Sequence, residues 1–329
     1  MRTIITKKKK VKFTVIIIVI FLISSIVLSI NFLDKKEVSY VAAKSEEEID
    51  YHEIIYNNKK MIYNTSIVSI LFMGIDTKES EKQGQADVIQ LVLLDRENKK
   101  IQIIPFSRDT MTDIRMFDVS RNDLGWNEQH LALAYSYGDT KATGCILTAQ
   151  AISRLLGNIP ITYYAAIDLS MLSNIQNIVG ELEVTIPNDS LEKVNEEWVE
   201  GKTITITEDN VEIYLRTRST EEDFSNNKRI ERQKVYLEEY FEKLKIMLEN
   251  DIENTVKVLY NSCKDITTNV NFTDIQNFAQ MMLDYDFDSD NDYYVLEGEN
   301  VVGANHDEFY LDTNYLKELI LKLFYKREE

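Results

Sequence analysis

SIVSILFMGID, residues 66–76, decides the fold once it is read as a strand. From Ser66 to Met73 it is apolar and rich in Ile, Val and Leu, without the alternation of a strand that has one wet face. Val88–Leu94 and Ile101–Phe106 are further runs of the same kind. Continuous apolarity over strand length implies burial on both faces.

Helical spacing follows. His130–Tyr137 and Thr143–Leu156 carry apolar residues three and four apart, and Gly157 closes the second. Tyr163–Ile167 reads as a strand, Leu169–Val179 as a helix and Glu183–Ile186 as a strand; Asn227 to about Leu248, Thr273–Leu283 and Asp312–Tyr325 read as helices. Strands alternating with helices predict an α/β fold with helices on both faces of the sheet. No repeat or composition break follows Ser66, so residues 66–329 are expected to form one domain.

Upstream, Phe13–Leu33 is a run of 21 residues without a charge. As a helix it is roughly 31 Å long, the thickness of a hydrocarbon core. Arg2, Lys7, Lys8, Lys9, Lys10 and Lys12 precede it. Basic flanks stay cytoplasmic, which predicts a tail at 1–12, a single anchor at 13–33, a charged stalk at 34–65 and an extracytoplasmic domain. A cleaved signal peptide ending near Val41-Ala42-Ala43 is the rival reading, and it places the domain on the same side.

The net charge is −18, and without those six basic residues 31 basic residues face 55 acidic ones. Such a surface repels nucleic acid, so no nucleic-acid partner is expected, and an anionic ligand needs a local cluster. Cys145 and Cys263 form no CxxC pair; a disulfide framework or thiolate metal site is not indicated. Cys145 reads as a small core residue. His52, His130 and His306 are scattered without metal-ligand spacing.

Four segments can carry chemistry. Gly74-Ile75-Asp76 ends the first strand, where ligands bind in α/β sheets, and Asp87 opens the next. Two carboxylates at neighbouring strand ends can share a magnesium ion; capping of ordinary turns is the simpler alternative. In Ser107-Arg108-Asp109 the arginine offers a planar fork to phosphate oxygens and Asp109 orients it, or the two form a local salt bridge.

The densest segment is Tyr214-Leu215-Arg216-Thr217-Arg218 followed by Asn227-Lys228-Arg229-Ile230-Glu231-Arg232-Gln233. Arg216 and Arg218 would share a strand face. Arg229 and Gln233 share a helix face, and Asn227 is a candidate cap that leaves the positive helix end near an anion. Asp286, Asp288, Asp290, Asp292 and Glu297 have calcium-loop offsets, but Asn291 stands where glycine is required; an acidic surface loop is the better reading.

These four segments, in this order, resemble the LytR–CpsA–Psr family of cell-envelope phosphotransferases from about Ser66 to the C-terminus. Weaker echoes lie at Ala134-Tyr135-Ser136-Tyr137-Gly138, from Leu155-Leu156-Gly157 to Tyr163-Tyr164, and at Thr268-Asn269. Arg216-x-Arg218 with Arg229-x-x-Arg232-Gln233 is the most specific element. The resemblance implies an αβα sandwich with a central mixed sheet and a hydrophobic pocket for a polyprenyl chain. It implies transfer of a glycopolymer from a polyprenyl-pyrophosphate carrier to peptidoglycan at the cytoplasmic membrane, with Mg2+.

By the same resemblance Asp76 and Asp87 match metal-associated acids. Arg108, Arg216, Arg218 and Arg229 match pyrophosphate-binding arginines, and Arg232 and Gln233 beside them are expected to bind the pyrophosphate with them. Asp87 or Asp109 is the expected base. The family usually has a basic residue before the second acid, where this chain has Gly84-Gln85-Ala86; Lys82 is the nearest substitute. A pyrophosphatase of the carrier and a non-catalytic polymer-binding protein are the competing readings.

Overall fold

The computed structural model describes residues 51–328 apart from 78–82, 218–224, 263–265, 272–273, 275–277, 279–280, 282, 289 and 305. The anchor at 13–33, its basic flank, most of the stalk, Lys82, Arg218 and Cys263 therefore lie outside the described residues. So does much of the Thr273–Leu283 helix. No helix among the described residues is long and apolar enough to cross a membrane.

The expected strands form the centre. The sheet order is β11 (Thr267–Thr268), β8 (Tyr163–Asp168), β3 (Ile67–Asp76), β4 (Gln85–Asp95) and β5 (Lys100–Phe106). β3 and β8 run parallel and the other neighbours antiparallel, so the sheet is mixed. Each face carries a core. One buries Ile70, Phe72, Val92, Ile103 and Ile167 against helices α3 (Leu172–Val179), α4 (Val211–Arg216) and α5 (Ser225–Asn250). The other buries Leu71, Met73, Leu91 and Ile104 against α1 (Leu133–Ser136), α2 (Lys141–Leu155) and α7 (Thr313–Phe324). Burial on both faces is the physical reason that the strands lack alternation.

Local chemistry sets the helix limits. Thr140 and Thr143 form a capping box at the start of α2, and Gly157 follows its end at φ +76°. Asp312 caps α7 by accepting from the main-chain N–H groups of Asn314 and Tyr315. Helix α6 (Ile252–Ser262) packs beside α3 and α5. The small sheets are β6 (Met111–Phe117) with β7 (Asp123–His130), β9 (Leu182–Thr185) with β10 (Thr203–Ile206), and β12 (Gly298–Val302) with β13 (Asp307–Leu311).

The structure corrects four expectations. Residues 53–63, read as stalk, belong to the folded unit: β1 (Glu53–Tyr56) and β2 (Lys59–Tyr63) form a sheet with β14 (Tyr325–Arg327). His130 ends a strand rather than opening a helix, because residues 111–130 form the β6–β7 hairpin. Arg216 ends helix α4, not a strand. Asn227 sits inside α5, which begins at Ser225, so it is not the cap. In the acidic stretch Asp292 is 2% exposed. It pairs with Lys100 at 3.4 Å and accepts from the Asp288 N–H at 3.1 Å, so it fastens the loop to β5.

Candidate active site

The site is assembled by a β-bulge. Along β3 the even-numbered Ile70 and Phe72 face the core that holds α5, and Asp76 follows on that face. Along β4, Leu91 and Leu93 face the opposite core, and strict alternation would send Asp87 with them. The ladder slips between Gly74 and Ile75, where Gly74 pairs with Val88 but Ile75 pairs with Ala86. Asp87 is the extra residue. Ala86 and Ile89 consequently share one face, and Asp87 turns to the face of Asp76.

Two glycines permit this. Gly84 has φ +70°, and a Cβ there would strike the Asp76 carbonyl oxygen. A Cβ on Gly74 would lie 2.8 Å from Leu169 Cδ2 and 3.1 Å from Val88 Cβ.

Each acid holds an arginine. Asp76 Oδ1 pairs with Arg216 Nη2 at 2.7 Å, and Glu212 takes Arg216 Nη1 from one turn earlier in α4. Asp87 Oδ1 pairs with Arg108 Nη1, while Gln85 Oε1 accepts from Arg108 Nη2 at 2.7 Å and Asp109 Oδ1 lies 3.5 Å from Arg108 Nε. Arg229, 4% exposed, donates through Nη2 to the Asp87 main-chain carbonyl at 3.2 Å. Gln233, one turn on, donates to the Leu215 carbonyl at 3.3 Å. The structure thus unites Asp76, Asp87, Arg108, Asp109, Arg216, Arg229 and Gln233.

Arg232 departs from its expected role. It is fully buried, and its guanidinium donates to the carbonyls of Tyr214 (3.0 Å) and Thr217 and to the Ser190 hydroxyl. Burial lowers its pKa to about 10. With its donors spent on protein oxygens, it pins the chain around Arg216 instead of meeting phosphate. Gln85 and Glu212 escaped sequence reasoning. Glu212 and Arg216 have the four-residue spacing of a helical ion pair, a signal legible only once that segment is read as helix. His130 and His306 meet with ring centroids 6.1 Å apart. No group of three or more His, Cys, Asp or Glu among the described residues is arranged to hold a metal.

A cavity of about 640 Å³, its open mouth included, begins at this cluster. Arg216 and Gln233 line it with Phe72, Gly74, Val88, Leu172, Ile175 and Leu237. Tyr236 and Tyr240 also line it, but their hydroxyls donate away, to Gln176 Oε1 (2.7 Å) and the Ile175 carbonyl (2.8 Å). The cavity is an apolar slot that ends at arginine.

The model of the LytR_cpsA_psr family matches residues 32–322. The chain belongs to that family. The polyisoprenyl-teichoic acid–peptidoglycan teichoic acid transferase TagU of Enterococcus faecalis is 27% identical over 71% of this chain and 72% of its own. The transferase of the same description named TagV, from Bacillus subtilis, is 26% identical over 63% of this chain and 50% of its own. Solved family structures share the fold. B. subtilis TagV has a TM-score of 0.60 at 23% identity over 79% of this chain and 96% of its own. TagT bound to LI-WTA has a TM-score of 0.58 at 19% identity over 79% of this chain and 90% of its own.

Proposed function

We propose that this LytR_cpsA_psr protein transfers a teichoic-acid-like glycopolymer from a polyprenyl-pyrophosphate carrier to peptidoglycan, outside the cell and anchored by residues 13–33. The observation that carries this reading is the apolar slot closed by Arg216 at the Asp76–Asp87 cluster, since a polyprenyl pyrophosphate joins an apolar chain to a phosphate dianion in the same way. The similarity to TagU and TagV supports it.

Pyrophosphate oxygens would bind the forks of Arg108, Arg216 and Arg229, and the Gln233 amide beside them. Arg218 belongs with this set on the family pattern. Arg108, Arg216 and Arg229, three positive charges, stand with four carboxylates, Asp76, Asp87, Asp109 and Glu212. A dianion entering this cluster, already one charge negative, would be helped by a divalent cation entering with it. Mg2+ favours one or two carboxylates completed by phosphate oxygens and water, and Asp76 and Asp87 on one sheet face supply that donor set. When bound, Mg2+ offsets charge on the phosphates.

In the reaction the acceptor hydroxyl oxygen bonds to the phosphorus that carries the glycan. The bond from that phosphorus to the bridging oxygen breaks, and polyprenyl phosphate leaves. The arginines stabilise the charge on the leaving oxygen. Asp87 and Asp109, the carboxylates on Arg108, are the groups that can take the hydroxyl proton.

The test is mass spectrometry of products after incubating the purified full-length protein with lipid-linked polymer and Mg2+, with and without peptidoglycan fragments. Polymer joined to the fragment is expected. Free polymer phosphate in both reactions would instead establish a pyrophosphatase, and unchanged substrate a binding protein.

A further inference from the structure

A second opening lies beside the arginines, distinct from the apolar slot. This groove of about 1220 Å³, open mouth included, runs between Asn227 of α5 and the β12–β13 hairpin. Two links fix its position. Asn227 stands two residues before Arg229 on the same helix. Phe309, in the hairpin, donates its main-chain N–H to the Asp109 carbonyl at 2.9 Å, and Asp109 directly follows Arg108. The hairpin is closed tightly: a Cβ on Gly298 would strike the Tyr310 carbonyl oxygen.

The lining differs in kind from that of the slot. Tyr310, a residue 38% exposed, contributes a ring, Asn227 and Asn300 contribute amides, and Glu297, Glu299 and Asp312 contribute carboxylates. Among the described residues the lining holds no Lys or Arg. Carboxylates repel a phosphate-bearing polymer over a Debye length of about 8 Å at physiological salt. The donor polymer is therefore disfavoured here. An uncharged sugar chain is not: its hydroxyls donate to carboxylates, its amides exchange hydrogen bonds with Asn, and the C–H face of a pyranose packs on an aromatic ring.

We propose that this groove seats the acceptor, an uncharged N-acetylated glycan strand, and delivers its hydroxyl to the Arg108–Asp109 end of the site. This rests on the transferase reading above. The experiment is calorimetric titration of the β-1,4-linked N-acetylglucosamine hexasaccharide into full-length protein, Tyr310→Ala and Tyr310→Phe, with geranylgeranyl pyrophosphate titrated separately into each. Tyr310→Ala is expected to weaken hexasaccharide affinity at least fivefold, and Tyr310→Phe, which keeps the ring, to preserve it. Absence of hexasaccharide binding to the unaltered protein, equal affinity in Tyr310→Ala, or equal loss in both variants overturns the proposal. The lipid titration separates the two readings: lipid binding without sugar binding removes the acceptor groove alone, whereas failure of both removes the transferase reading as well.

Discussion

Arg229 and Arg232 are three residues apart on one helix and do different work. Arg229 reaches the Asp87 carbonyl at the site, while Arg232 is spent on Tyr214, Thr217 and Ser190 in the interior. Arg232→Met leaves those acceptors buried and unpaired, and each hydrogen bond to a charged group contributes roughly 1.5–3 kcal/mol. A loss of about 3 kcal/mol or more in stability is expected, read as a lower urea midpoint. An unchanged midpoint would show that the clamp is dispensable. Arg108→Lys is the contrasting case, since charge is kept and the fork that spans Asp87 and Gln85 is lost. Affinity for geranylgeranyl pyrophosphate should drop about tenfold, ~1.4 kcal/mol, with the urea midpoint unchanged. Equal affinity would argue that Arg108 only braces the carboxylates.

The slot between the sheet and helices α3, α4 and α5 makes a separate claim, that the lipid and its phosphates are recognised by different walls. Leu237 lines the slot and is only half-buried, so a larger side chain there can enter the slot without wrecking the core. Leu237→Trp is expected to weaken geranylgeranyl pyrophosphate at least tenfold and to leave inorganic pyrophosphate unaffected. Parallel loss of both ligands would mean that the slot is not the lipid's wall. Strand end β8 has its own signature. Burial raises the Asp168 carboxyl, yet hydrogen bonds from Ser170 and Thr77 outweigh it and hold the group below the usual carboxylate range. A depressed folded pKa stabilises the fold above the unfolded value of ~3.9, and this contribution disappears as pH falls through the folded value. Melting temperatures of wild type and Asp168→Asn should therefore differ at pH 7 and converge toward pH 3. A constant gap across that range would assign the effect to packing.

At the scale of the molecule, a chain at −18 sets the forks of Arg108 and Arg216 against carboxylates and is acidic overall. The uncharged run at 13–33 with its basic flank motivates the proposed topology. Protease added to intact, wall-stripped cells should digest the domain, and protection until lysis would reverse the orientation.

Continuous apolar runs at 66–73, 88–94 and 101–106 determined the buried sheet, because strands with no wet face need no polar alternation. The candidacy of Asp76, Asp87, Arg108, Arg216, Arg229 and Gln233 was legible as well, since carboxylates at strand ends and clustered arginines stand out in an acidic chain. What only tertiary structure decided was orientation. A one-residue bulge leaves no mark in an apolar run, yet it turns Asp87 from the opposite core to the face of Asp76. The burial of Arg232 depends on carbonyls in α4 and just beyond it, and the union of residues 53–63 with 325–327 depends on a pairing across the length of the chain. Local pattern records which residues can do chemistry; which of them face one another is set by contacts between segments distant in sequence.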